Sequence, residues 1–429
     1  MANGTSGSGM GAVVAVTRRA ADRVRAGHLW VYRSDVERIV AGTSKPLAVS
    51  GASVGVPPGA LVSVIDARGI PLGTALYSDA SEIALRIISR QPSVGRATYL
   101  DEVRARVHVA IHLRQRVAAE AFALAGSDDA CRLIFSEADD LPGIVADRYA
   151  SLVVVQLLTQ GTAQDDVRSV LAEVFSEQPW VATAVERPDA RVRELEHLPP
   201  APEAPLFVRA GGEAELQTVF TINGVRFHFD AGAGQKTGAF LDQRLNYAAA
   251  ARYAHGRAMD VCTYQGGFAL HLARACERVT GVDASRAALE VADRNLALNP
   301  DLPAHVDWIE ADAFELLRDY ADAGERFDTI VLDPPAFAKT RRAAEGALRG
   351  YKELNLRAMK MLSPGGTLVT CSCSHHVGLE EFTAVVRSAA EDAGRRVQLL
   401  ETRAAAPDHP AILSLPETSY LKCLIARVG

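Results

Sequence analysis

Apolar and polar positions along this chain change their spacing several times, and the changes divide it. Residues 12–100 carry short runs near period two (AGHLWVY, GALVSVIDARG, PLGTALYS and SEIALRIISR), broken by Gly, Pro, Ser and Asp. This predicts the strands of a small β-barrel over 11–95. The spacing turns helical over 97–120 (YLDEVRARVHVAIHLRQRVAAEAF). Strands are expected around CRLIFSE, GIVADRYA and SLVVVQLL, with a helix near DDVRSVLAEVF, so 96–200 reads as a small α+β domain. Residues 198–215 (LPPAPEAPLFVRAGGEAE) predict a loop or linker. The remainder, within 201–429, alternates strands and helices. Strand candidates are RAMDVC, VTGVD, HVDWIE, FDTIVLD, GTLVTCS, VQLLET and YLKCLIARV. Helical stretches between the first five predict an α/β, doubly wound and mostly parallel sheet. The last strands lack a clear intervening helix, which allows an antiparallel edge.

Composition adds little to this fold class but narrows function. The 429 residues are 48% hydrophobic, ample for several cores. Net charge is −6, which argues against a protein that coats nucleic acid indiscriminately. By segment the balance is +5 over 1–100, −7 over 101–200, 0 over 201–300 and −4 over 301–429. The positive excess of the first hundred residues includes Arg18, Arg19, Arg23, Arg25, Arg33 and Arg38. It reads either as a solvated face or as an RNA-docking module. The six cysteines are scattered and no Cys-x-x-Cys pairs with another, so no structural metal is expected. The Gly/Ser-rich start predicts disorder. Absence of a signal-like or membrane-spanning apolar run makes the cytoplasm the expected location, with no membrane partner.

The candidate chemistry lies in the last domain. Asp260-Val-Cys-Thr263-Tyr264-Gln-Gly266-Gly267-Phe268 follows the first strand and opens a helix. Its glycines permit close approach of a ligand, and the spacing is not the dinucleotide fingerprint. Asp283, with Ala284 and Ser285, ends the second strand, where an acid takes ribose hydroxyls; Asp312 and Ala313 follow the third, where adenine is read. Each alone is more often a turn or a helix cap. In order along successive parallel strands, they describe a nucleoside site and resemble class I S-adenosylmethionine-dependent methyltransferases. Upstream, residues 234–244, with Phe240, Asp242 and Arg244, form a plausible lid over the cofactor.

The fourth strand ends in Asp333-Pro334-Pro335-Ala336-Phe337, a stiff turn able to present an Asp and carbonyls to a planar base. The fifth runs into Thr370-Cys371-Ser372-Cys373-Ser374-His375-His376. C5 of a pyrimidine is not basic, so its methylation needs a thiolate to add at C6. Asp333 is placed to hydrogen-bond N3 and the exocyclic amine. In an extended strand Cys371 and Cys373 share a face, and spacing does not choose between them. A basic run follows the Pro-Pro turn: Lys339, Arg341, Arg342, Arg349, Lys352, Arg357 and Lys360, with Glu345 and Glu353 among them. It reads as a solvated helix face or as a phosphate-gripping patch.

KTGAFLDQR, DVCTYQGGFAL, GVDASRAAL, DPPAFAK, LRGYKELN, the Ser372-Cys373-Ser374 step and SYLKCLIARV resemble the RlmI-like family of bacterial 23S rRNA large-subunit methyltransferases. GHLWVYRSDV is similar to the family's N-terminal PUA domain, and RLIFSEADDLPGIVADRY to its central domain. The resemblance spans nearly all residues from about 11 onward. It implies S-adenosylmethionine as methyl donor, no metal, and 5-methylcytidine as product. It also implies Cys373 as nucleophile in a single-cysteine scheme. The implied partner is 23S rRNA or a 50S assembly intermediate, with a homodimer left open. Gln265 and the 198–215 segment depart from the family pattern. Alternatives on the same fold are methylation of an rRNA purine nitrogen, such as guanine N7, and a non-catalytic rRNA-binding assembly factor.

Overall fold

The computed structural model describes residues 11–40, 46–47, 55–121, 128–232, 238–337 and 344–429. The Gly/Ser-rich start through residue 10, expected to be disordered, lies outside them. The N-terminal unit is a seven-stranded sheet of β1 (Val13–Val16), β2 (Trp30–Tyr32), β3 (Val36–Val40), β4 (Pro46–Leu47), β5 (Leu61–Asp66), β6 (Pro71–Tyr77) and β7 (Ile83–Ser89), ordered β2-β7-β6-β5-β1-β3-β4. The short apolar run at 13–16 is an inner strand, paired with β3 and β5. Helix α1 (Arg18–Arg25) starts directly after it, with the Thr17 hydroxyl accepting from the Ala20 N–H.

Helix α2 (Arg96–Ala121) leads to a central sheet of β8 (Ala130–Phe135), β9 (Ile144–Tyr149), β10 (Leu152–Leu157), β11 (Thr183–Glu186) and β12 (Phe207–Val208), flanked by α3 (Asp165–Ser176) and α4 (Ala190–Leu195). Strand β12 corrects the loop reading of 198–215. Phe207 and Val208 extend the sheet antiparallel to β11, and the Arg209 guanidinium donates to the Val181 and Gln178 carbonyls.

A hairpin not anticipated from the sequence follows, β13 (Gln217–Ile222) and β14 (Val225–Asp230). Its Asn223-Gly224 turn has φ of 49° and 73°, the conformation a two-residue hairpin favours. Alternating QTVFTI and VRFHFD around Asn-Gly carried that signal. The inward Phe220, Phe227 and Phe229 share one core with Tyr149, Leu152 and Val154 of the central sheet and with Tyr247 and Phe268 beyond. Phe229 stacks on Tyr149 at 4.0 Å.

The last sheet comprises β15 (Arg257–Val261), β16 (Arg278–Asp283), β17 (His305–Glu310), β18 (Phe327–Leu332), β19 (Leu362–Ser372), β20 (Val397–Arg403) and β21 (Lys422–Val428). Helices α5 (Arg244–Tyr253), α6 (Gly267–Leu272), α7 (Arg286–Ala297), α8 (Ala313–Ala323), α9 (Ala344–Met361) and α10 (Leu379–Ala393) pack around it. The order is β17-β16-β15-β18-β19-β21-β20, with β15–β19 mutually parallel. A clear helix, α10, does separate β19 from β20. Strand β21 is antiparallel to both neighbours and sits one place in from the edge.

The segment at 404–420, between β20 and β21, reaches back across the molecule. The Asp408 carbonyl accepts from Arg114 Nη2 (3.0 Å), the Asp408 carboxylate accepts from the Arg132 N–H (3.0 Å), and Ser414 Oγ donates to the Gly27 carbonyl (2.9 Å). Arg114 also grips Asp139 through both carboxylate oxygens, at 2.5 and 2.7 Å, in a buried pair. Removing one partner strands the other charge, so Arg114→Ala is expected to cost about 3 kcal/mol or more, read from the denaturant midpoint. A loss below about 1 kcal/mol would mean the three-part junction does not depend on this residue.

Candidate active site

The loop after β15 is held in a conformation that open chain does not favour. Cys262, Tyr264 and Gly266 have φ of 64°, 53° and 86°. Left-handed non-glycine residues cost energy and persist where neighbours fix them. Here the Thr263 N–H donates to the Val282 carbonyl (2.9 Å) and the Tyr264 N–H to Asp283 Oδ2 (2.9 Å). Asp260 Oδ2 accepts from the Thr263 hydroxyl (2.6 Å) and the Ala269 N–H (2.8 Å). Its Oδ1 is buried with no hydrogen-bond partner among the described residues. At Gly267 a Cβ would stand 2.6 Å from Tyr247 Oη, so only glycine fits. Phe240, Thr263, Tyr264, Gly267, Phe268 and Asp333 line a small cavity open to solvent; Cys262, Tyr247 and Gln265 also line it. Phe240 faces Tyr264 with ring centres 5.1 Å apart.

Asp333 is the acid that lines the cavity, and Asp242 and Asp260 act on it from nearby. Asp333 accepts from Gln243 Nε2 (3.0 Å), and burial, with Asp242 and Asp260 adding, pushes its carboxyl up to about 8. Burial, with Asp283 adding, pushes Asp260 up to about 7, against the bonds from Thr263 and Ala269. The Cys262 thiol is pushed up by burial and by Asp283, Asp333, Asp260 and Asp312. A ligand bearing an ammonium and a sulfonium would offset the raised carboxyls at Asp333 and Asp260. The residues present therefore fit S-adenosylmethionine. Bound there, it would supply an electrophilic methyl group.

Other predicted residues are tied more locally. Both Asp283 oxygens bind loop N–H groups, those of Tyr264 and Ser285. Ser285 caps α7, and Asp312 Oδ1 caps α8 through the Phe314 and Glu315 N–H groups. With Ala284 and Ala313 they stand at the carboxyl ends of β16 and β17, outside the residues that line the cavity. Asp242 accepts from the Tyr420 hydroxyl at 2.5 Å, which places it toward the end of β19. Arg244 requires correction: its side chain is fully buried and donates to the Ala130 carbonyl in β8, so it ties the domains together and does not face the cofactor. Of the lid segment, Gly234–Thr237 fall outside the described residues.

The two cysteines do not share a strand face, contrary to the simple alternation. Strand β19 ends at Ser372. Cys371 is fully buried and pairs in register with Cys423, whose thiol it meets. Cys373, beyond the strand end, is partly exposed, with Sγ 4.0 Å from the Pro334 carbonyl. Residues the sequence reading missed surround it. The Tyr351 hydroxyl bonds Ser372 (3.0 Å) and Ser374 (2.9 Å), Lys422 Nζ donates to the Ser374 carbonyl (2.7 Å), and Tyr420 packs on His375 at 5.4 Å. Among the described residues no cluster could hold a metal ion, and no helix is long and apolar enough to cross a membrane.

The basic candidates divide. Arg18 and Arg19 are exposed on α1, as is Arg38 on β3. Arg23 and Arg25 are engaged by Asp35 (2.5 Å) and Asp66 (2.6 Å), so each of these RNA-binding candidates already has an acidic partner. On α9, Arg349 is exposed, whereas Lys352 pairs with Asp392 (2.7 Å) and Arg357 with Glu353 and Asp322. Lys339, Arg341 and Arg342 lie outside the described residues.

This order of strands, glycine loop and acidic cavity defines a methyltransferase. Residues 138–426 match the family model described as S-adenosylmethionine-dependent methyltransferase, and residues 14–90 match a PUA-like domain. The chain belongs to the S-adenosylmethionine-dependent methyltransferase family and carries a PUA-like domain ahead of it. It is 38% identical over 405 residues to the "Ribosomal RNA large subunit methyltransferase I" of Shewanella amazonensis, covering 94% of this chain and 95% of that protein. It is 36% identical over 403 residues to the protein of the same name from Erwinia tasmaniensis, covering 94% and 95%. The fold is shared with the crystal structure of SMU.776, described as a methyltransferase and complexed with SAH, at a TM-score of 0.75 and 18% identity, covering 97% of this chain and 99% of that one.

Carboxyls raised in the folded state favour folding at low pH, and that contribution is lost as pH rises from about 4 through about 8. Asp333→Asn is therefore expected to raise Tm by several degrees at about pH 8.5 and to leave it nearly unchanged at about pH 4. For the same reason, binding of the cationic donor should release protons between about pH 6 and 8 and tighten across that window, more than binding of the uncharged-sulfur product. Calorimetry in buffers of different ionisation heat measures this; equal proton release by both ligands would exclude the carboxylates from sensing the sulfonium.

Proposed function

We propose that this protein methylates C5 of a cytosine in 23S rRNA, with Cys373 as the nucleophile and Asp333 as the group that orients and protonates the base. The observation that carries the reading is the partly exposed Cys373 Sγ, 4.0 Å from the carbonyl of Pro334, the residue next to Asp333. The names of the relatives at 36–38% identity support large-subunit rRNA as substrate.

The chemistry follows from these groups. The Cys373 thiolate adds to C6, forming an S–C bond and placing the electron pair of the C5–C6 double bond on C5. Burial raises the Asp333 carboxyl above the ordinary carboxylate range, so that a proton on it is available to N3 as negative charge develops there. C5 then forms its bond to the methyl carbon as the sulfonium–methyl bond breaks. A base removes the C5 proton, the double bond re-forms, and the Cys373 sulfur leaves. Cys371, buried against Cys423, has no access to a base. The exposed Arg18 and Arg19 of α1, Arg38 of β3 and Arg349 of α9 serve as phosphate contacts.

Cys373→Ala is expected to lower methyl transfer to unmodified 23S rRNA roughly a thousandfold or more, with donor binding retained. Nucleoside mass spectrometry of the wild-type product should show 5-methylcytidine; a methylated purine, or full activity in the variant, would overturn the covalent scheme. Charge reversal of Arg18 and Arg19 together should weaken RNA binding and reduce its salt slope by about 1–2, because each phosphate contact releases about one counterion. An unchanged slope would remove α1 from the RNA-facing surface.

A further inference from the structure

Lys422 opens β21 directly opposite Ser372, the residue before Cys373. It is 7% exposed. Its Nζ donates to the Ser374 carbonyl and to the Tyr420 carbonyl, both at 2.7 Å. No salt bridge joins it to a carboxylate among the described residues. A buried ammonium normally finds a paired anion, because desolvating an unpaired charge is costly. Carbonyl dipoles fix its position and leave its charge unneutralised. The carbonyl it grips belongs to Ser374, the residue next to Cys373, and the groups of opposite formal charge that act on it are the Cys373 sulfur first and Glu381 second.

We infer that Lys422 is a positioning residue that keeps Cys373 as a thiolate, its ammonium acting as the counterion while its two carbonyl contacts fix the strand end. The inference rests on the reading of Cys373 as nucleophile. It supplies what that reading lacks: a fixed cation to make the thiol reactive near neutral pH. The electrostatics agree. Burial lowers the Lys422 ammonium to about 8, and Cys373 is the first of the groups that oppose the shift, ahead of Glu381 on α10. The other titratable groups around this sulfur are Tyr351 from α9, Tyr420 before β21, His375 and His376 beyond the turn, and Asp333 in the facing loop. None of them carries a fixed positive charge.

The test uses the full-length protein and the pH dependence of iodoacetamide alkylation, followed at the Cys373 peptide by mass spectrometry. In the wild type, the alkylation midpoint should lie below the ordinary thiol value of about 8.5. Lys422→Gln retains N–H donors for the two carbonyls and loses the charge. It should move the midpoint up by about one unit and slow alkylation at neutral pH about tenfold. Lys422→Arg should restore most of the difference. A merely structural role would leave the midpoint unmoved in Lys422→Gln, and that result overturns the inference. So does a wild-type midpoint at the ordinary value, which needs no variant to fold. Methyl transfer by Cys373→Ala is assayed alongside. Activity there with a shifted alkylation profile would refute the nucleophile and leave the thiol–ammonium pair standing, whereas an inactive Cys373→Ala with an unshifted profile would refute the pair alone.

Discussion

Two carboxylates, Asp260 and Asp333, are held at the carboxyl ends of neighbouring parallel strands without a cation between them. Strands β15 and β18 pair directly, and the Asp333 N–H donates to the Val261 carbonyl, so the two acids cannot separate. Burial raises both, with Asp260 and Asp242 adding at Asp333 and Asp283 adding at Asp260. The strained loop at 262–266, the glycine at 267 and the caps at Ser285 and Asp312 are arranged around that charge. The cavity is thereby matched to a ligand that brings positive charge and hydroxyl groups together.

That arrangement depends on packing contributed by regions far away in sequence. The 217–230 hairpin joins the central sheet to the methyltransferase core through Tyr149, Phe229 and Tyr247, one continuous apolar cluster. Its tip, Asn223, donates to the Arg244 carbonyl, and Arg244 in turn reaches β8. Gly238, with φ of 119°, lies so close to Phe229 that a Cβ would approach to 2.4 Å, so entry to the Phe240 segment is fixed by hairpin packing. On the opposite side, the 404–420 segment binds the PUA-like unit at Gly27 and the central unit at Arg114. It returns to the site through Tyr420 and Lys422. The three units are therefore joined by hydrogen bonds as well as by the shared apolar cluster.

Legibility in the sequence followed the range of the interaction. Strands β5–β10 and β15–β19 were readable because each buries one or both faces and so imposes its own period. The glycine loop and the strand-end positions of the acids at 260, 283, 312 and 333 were readable because each lies at or just past the end of a clearly patterned parallel strand. The hairpin was readable in principle from Asn-Gly between alternating runs, and the strong strand–helix pattern that follows masked it. The basic residues were misjudged for a different reason. Whether Arg23, Arg25, Lys352 or Arg357 faces solvent or an acid depends on Asp35, Asp66, Asp392 and Asp322, and no local pattern reveals those partners.

The sequence by itself determined the order of the three units, the class of the last sheet and the acids and glycines of the donor cavity, because periodicity and strand-end chemistry are local. It also brought two cysteines to one strand end without separating them by spacing. Tertiary structure separated them: antiparallel insertion of β21 sets Cys423 against Cys371 and the Lys422 ammonium on the Ser374 carbonyl, one residue past Cys373. That placement arises from pairing across about fifty residues of chain, where register, and not composition, decides which side chain is buried and which stays partly exposed.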